Sequence, residues 1–130
     1  MKLSIVVVEY HSVDEIQRCI KGITASLSDV EIIISSNSQY DGQTQKKLVA
    51  DFPQCRWVFN EKNGGFAYAM NRGLEVATGD VLAISNPDCI IRTGIDKMMT
   101  FLLRLKRFCG FIVGIVLFEH FGGEVGGEGL

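Results

Sequence analysis

Four short apolar runs, at residues 3–8, 30–34, 56–59 and 81–85, are rich in valine and isoleucine and are bounded by polar or turn residues. Runs of that length and make-up read as strands buried on both faces, as a parallel sheet requires. Helical patterns lie between them. Ile16, Ile20, Ile23 and Leu27 share one face after Ser12-Val13-Asp14-Glu15, where Ser12 can cap and Glu15 completes a capping box. Phe66, Met70 and Leu74 repeat every fourth residue, and Ile95, Met98, Met99 and Leu102 form another stripe. Both stripes read as core faces rather than cofactor contacts. The alternation of strand and helix predicts an α/β fold, an open and mostly parallel sheet with helices on both faces.

That architecture says where function should sit. Open α/β sheets bind ligands outside the carboxyl ends of their strands. His11, Asn37, Asn63 and Asp88 each stand just past a predicted strand end, so they should converge on one edge although the sequence scatters them.

The chain has 130 residues, 47% of them apolar and 22% charged, which suits one globular domain. We read residues 1–118 as that domain and 119–130 as a flexible glycine-rich tail. A formal charge of -2 without a long basic run leaves no footprint for nucleic acid. Cys19, Cys55, Cys89 and Cys109 lie far apart in apolar surroundings, with no Cys-x-x-Cys pair, and read as reduced core cysteines of a cytoplasmic protein rather than disulfides or zinc ligands. Met1-Lys2 precedes an apolar run, but Glu9 and Asp14 interrupt it and no cleavage site follows, so a first core strand is expected instead of a signal peptide. The apolar stretch 108–118 is too short for a bilayer, which needs about 20 residues. It reads as a fifth buried strand, with a peripheral contact at the inner face of a membrane as the other option.

Two motifs carry the chemistry. Asn63-Gly64-Gly65-Phe66 reads as a loop entering a helix, whose glycines permit close backbone approach or positive φ and whose first amides are unpaired. An ordinary turn would look the same, and neither a Gly-x-Gly-x-x-Gly pattern nor a Walker lysine loop is present. Asn86-Pro87-Asp88 ends the fourth strand. Asp88 suits a hard cation, magnesium or manganese, that would share its shell with phosphate oxygens and neutralise charge on a departing diphosphate, or it caps a local turn. Asn71 taken alone would be a surface residue, and Asp41 before Gly42 a turn residue.

Taken in order, Leu3 to Ser12, Glu31 to Asn37 with Asp41-Gly42, Asn63-x-Gly65-Phe66-Ala67-x-x-x-Asn71-x-Gly73, Ala77-x-Gly79-Asp80 and Asn86-Pro87-Asp88 resemble the family 2 glycosyltransferases, in particular their rhamnosyltransferase-like members. The resemblance covers roughly residues 3–105. It implies the GT-A fold, with a Rossmann-like nucleotide-binding half. It also implies transfer of a sugar, with inversion and metal assistance, from a UDP- or dTDP-linked nucleoside-diphosphate sugar to a glycan acceptor in polysaccharide biosynthesis. Nucleotide-sugar contacts would come from Glu9, His11, Ser36, Asn37, Asp41, Asn63, Gly65, Phe66, Asn71 and Asn86, and the metal from Asp88.

The chain departs from that pattern at the base end. Ser36 stands where the family carries an aspartate that accepts from the base imide, and Glu9 and His11 stand where it more often has asparagine. Ser36→Asp is accordingly expected to tighten uridine or thymidine nucleotides by about 1 kcal/mol. The catalytic base is unassigned. Glu119, Glu124 and Glu128 match no motif, and the chain reads as a donor-binding part without its acceptor half, expected to bind donor without detectable transfer. A non-catalytic nucleotide-sugar-binding domain is the alternative; a nucleotidyltransferase on a similar sheet is disfavoured because no basic triphosphate loop is present.

Overall fold

A computed structural model describes residues 2–27, 29–87 and 115–117, and in it the apolar runs form one parallel sheet. The elements are β1 (Leu3–Glu9), α1 (Val13–Ser26), β2 (Val30–Ser36), α2 (Gly42–Asp51), β3 (Cys55–Phe59), α3 (Phe66–Val76), β4 (Val81–Ser85) and β5 (Ile115–Leu117). Strand order is β3-β2-β1-β4-β5, with every pairing parallel. β1 lies at the centre and is buried along its whole length, which explains why Ser4 and Glu9 are its only polar residues.

Crossover handedness puts the helices on opposite faces. From β1 to β2 to β3 the chain steps one way, and from β3 to β4 it steps back across two strands, so right-handed connections place α1 and α2 on one face and α3 on the other. Packing agrees. Leu3, Ile5 and Val7 of β1 and Ile32 and Ile34 of β2 cluster with Ile16, Ile20 and Ile23 of α1 and Leu48 of α2. Val6 and Ser35, which point the other way, meet Gly73 of α3. The expected fold class, with helices on both faces, is what the chain forms.

Some local expectations are corrected. Ser12 is the N-cap of α1 but makes no side-chain cap bond; its amide is instead drawn to Glu9, so the capping box with Glu15 does not form. The buried line of α3 is Ala69 and Gly73, whereas Phe66 is 48% exposed. Its small residues lie on the sheet side because a helix crossing β1 so closely has no room for a larger one. α2, implied by the alternation but marked by no stripe, buries only Leu48. Of the apolar stretch 108–118, β5 is described at Ile115–Leu117; the stripe from Ile95, Asp88, Cys89, Cys109 and the tail lie outside the described residues. Among the described residues no helix is long and apolar enough to cross a membrane.

Polar contacts close the edge of the sheet away from the strands' carboxyl ends. Glu31 accepts from Ser4 Oγ at 2.6 Å, Thr78 N at 2.8 Å and Thr78 Oγ1 at 3.1 Å. Burial alone would raise the Glu31 carboxyl, but those hydrogen bonds and the charge of Lys2 outweigh it and hold the group below its ordinary value. A carboxyl depressed in the folded state adds stability above its unfolded pKa and loses it as pH falls through the folded one. Thermal midpoints should therefore fall more steeply for the wild type than for Glu31→Gln between about pH 5 and pH 3. Parallel curves would remove this contribution.

Cys19 is buried and Cys55 half-buried, and neither is in a disulfide. Burial, with a smaller contribution from Cys19, pushes the Cys55 thiol up to about 12. Only about one part in ten thousand would be thiolate at pH 8, so iodoacetamide should leave Cys55 unmodified in the native protein and alkylate it in urea. Rapid native alkylation, read by peptide mass, would contradict that burial.

Candidate functional site

The direction of crossover reverses between β1 and β4, and a crevice opens at such a point outside the strands' carboxyl ends. A cleft of about 360 Å³ lies there. Val8 and Tyr10 come to it from the end of β1, Asn37 from β2, Asn63, Gly65 and Phe66 from the loop before α3, and Asn86 and Pro87 from the end of β4. Ser12 completes the described wall. Of the sequence candidates, Asn37, Asn63, Gly65, Phe66 and Asn86 are thus brought together.

The glycine loop forms one side. Gly65 is the N-cap of α3 at φ 93, in the left-handed region that favours glycine. No side chain caps the helix, so the first amides of α3 remain available at the rim. Gly64 is constrained differently, since an added Cβ would lie 2.5 Å from the ring of Tyr68. The loop is fastened from below. Asn60 Nδ2 donates to Asn37 Oδ1 at 2.9 Å and to Ser35 Oγ at 3.1 Å, and Asn37 Nδ2 donates to the Gly65 carbonyl at 2.9 Å. Asn37 is 2% exposed and Asn60 5%, so Asn37 acts through the loop more than through its own surface. Sequence reading missed Asn60, although it follows β3 directly, as Asn37 follows β2.

Glu9 and Ser36 do not line the cleft. Side chains alternate along a strand, so Glu9 points away from Val8 and shares the face of Ile5 and Val7. Its carboxylate is fully buried among four donors. Ser36 Oγ, at 2.5 Å, and Ser38 Oγ, at 2.8 Å, bond Oε1, while the Ser12 amide, at 2.8 Å, and Tyr40 Oη, at 2.9 Å, bond Oε2. Ser36 is 1% exposed and its hydroxyl is committed to Glu9, which corrects the expectation that it faces a base. Burial and the neighbouring Glu9 both raise the Tyr40 phenol, hydrogen bonding with Ser38 opposing them, so it stays a donor.

The other candidates sit apart from the cleft wall. His11 has φ 50 and packs edge-on between Tyr10, 4.4 Å away by ring centroids, and Tyr40, 6.0 Å away. Asp41 caps α2 through Thr44 N at 2.7 Å, and that bond holds its carboxyl below the usual range. Its turn role is the one the structure supports. Asn71 is an exposed residue of α3 and does not line the cleft. Asp88 lies outside the described residues, directly after Pro87 in the sequence. Among the described residues no group of three or more histidine, cysteine or acidic side chains could hold a metal.

Comparison with known proteins gives this geometry a context. The family model described as glycosyl transferase family 2 matches residues 4–121. An uncharacterized glycosyltransferase of Escherichia coli, YibD, is 31% identical over 106 residues, covering 78% of this chain and 30% of that protein. Residues 1–349 of TarS from S. aureus superpose with a TM-score of 0.64 at 16% identity, over 82% of this chain and 33% of that one. The mannosyltransferase PcManGT of Pyrobaculum calidifontis, in complex with GDP-Man and Mn2+, superposes with a TM-score of 0.57 at 20% identity, over 68% of this chain and 28% of that one. These two likenesses establish the GT-A fold, and this chain spans about a third of the length of each of these three proteins.

Proposed function

The chain belongs to glycosyl transferase family 2, and from that premise we propose that its cleft binds the nucleoside-diphosphate part of a sugar donor. The observation that carries this reading is the uncapped start of α3 at the rim. Free amides and the positive end of a helix favour an anion, and Gly65 lets its backbone come close. Tyr10, 55% exposed, and Phe66, 48% exposed, line the same cleft, and aromatic side chains there suit a base and a sugar.

The protein containing this chain would transfer the sugar, with inversion, from a UDP- or dTDP-linked donor to a glycan acceptor. A rhamnosyl donor, a role in polysaccharide biosynthesis, a cytoplasmic setting and contact with the membrane's inner face belong to the same proposal. That Cys19 and Cys55 form no disulfide suits that setting.

A divalent cation fits the donor set if the nucleotide completes it. Magnesium and manganese commonly take one or two carboxylates and leave their other positions to phosphate and water, so Asp88, with the neutral oxygen of Asn86, would suffice without a cluster of acids. Bound there, the ion would supply charge neutralisation for the leaving diphosphate.

Calorimetric titration of UDP, dTDP and GDP, in manganese and again in EDTA, tests the reading. Binding in manganese that is lost in EDTA and in Asp88→Ala is expected. Equal affinity in EDTA would take Asp88 out of the metal role, and absence of any nucleotide binding would overturn the reading itself.

A further inference from the structure

We propose that Glu9 is a positioning residue for the nucleoside end of the cleft, an inference that rests on the nucleotide reading above. Its carboxylate is the tie between two loops. Ser12 N and Tyr40 Oη bond one oxygen, Ser36 Oγ and Ser38 Oγ the other, so the loop after β1 and the loop after β2 meet on a single buried side chain. The network is closed and directional. Ser38 Oγ accepts from His11 N at 2.7 Å while donating to Glu9, and Ser36 Oγ accepts from Ser38 N at 3.3 Å while donating to the same oxygen. A buried polar network with every member paired holds its parts in one arrangement.

The same bonds decide what the loop after β1 can offer a ligand. Three successive amides are used internally: Tyr10 N bonds Ser12 Oγ at 3.4 Å, His11 N bonds Ser38 Oγ and Ser12 N bonds Glu9. A loop with its amides turned inward cannot cradle phosphate as the start of α3 can. What remains outward is the ring of Tyr10, braced edge-on by His11, which in turn meets the ring of Tyr40. Tyr40 is itself pinned to Glu9. The carboxylate therefore holds, from the opposite face of the sheet, an aromatic wall that suits a nucleoside and leaves the phosphate side to the glycine loop. It does so without presenting a charged acceptor to the base.

The test separates the two ends of the ligand. UDP and inorganic pyrophosphate are each titrated in manganese against the wild type, Glu9→Gln and Tyr40→Phe. Glutamine keeps the shape of Glu9 but sets an amide donor against the donors it meets, and Tyr40→Phe removes one bond with the ring retained, so at least one variant should fold. UDP affinity is expected to fall about tenfold in Glu9→Gln and less in Tyr40→Phe, with pyrophosphate affinity unchanged in both. A merely structural role would lower both ligands together, and that result, or no change in UDP affinity, overturns the proposal. A wild type that binds neither ligand overturns the nucleotide reading and this inference with it.

Discussion

Ser36→Asp is expected to destabilise the fold by about 3–5 kcal/mol, the cost of leaving an uncompensated charge in a buried site. The sequence suggests the opposite, a tighter nucleotide complex. In the structure the Ser36 hydroxyl donates to Glu9 Oε1 at 2.5 Å, and both residues are almost wholly inaccessible. An aspartate there would put a second carboxylate against the first, remove a donor from Glu9 and gain no access to the cleft. Urea unfolding of the variant should show a large fall in midpoint. A variant as stable as the wild type, with tighter UDP binding, would mean that position 36 does face the ligand.

The other large effect is expected at the crossing of α3 over the sheet. A Cβ at Gly73 would collide with Cγ1 of Val6, a fully buried residue of the central strand, and would press on Ser35 Cβ at 3.4 Å. Gly73→Ala should gain helix propensity yet still lose about 1–3 kcal/mol to overpacking, because neither strand can retreat without breaking its pairing. α3 also carries Gly65 and Phe66 at its start, so the same displacement should weaken nucleotide binding. Adding Val6→Ala gives the check. If the collision is the cause, the double variant is more stable than the sum of the single losses predicts, whereas strict additivity would place the cause elsewhere.

Much of this molecule is legible in one dimension. The apolar runs are strands because buried parallel strands need continuous hydrophobic residues, and Ile16, Ile20 and Ile23 mark the inner face of α1 because a helix repeats every 3.6 residues. The glycine pair before an amphipathic stretch and the residues at the strand ends announced a cleft wall that Asn37, Asn63, Gly65, Phe66 and Asn86 do share. Those signals are local, and local geometry is enough to produce them.

Direction and partner were decided only in three dimensions. Parallel register sets Glu9 beside Ser36, and the period of two turns both to the face away from the Val8 side of the strand. Nothing local distinguishes a serine aimed at a ligand from one aimed at a buried carboxylate 27 residues away in sequence. Asn60 and Asn37 likewise become one support for Gly65 only after β3 has docked beside β2. The sequence by itself determined which residues are apolar, where the chain turns and which polar groups end the strands. The tertiary structure decided which of those polar groups meet each other and which meet the cleft, because hydrogen-bond partners across a sheet depend on strand order, register and crossover hand, and these arise only when distant segments pack.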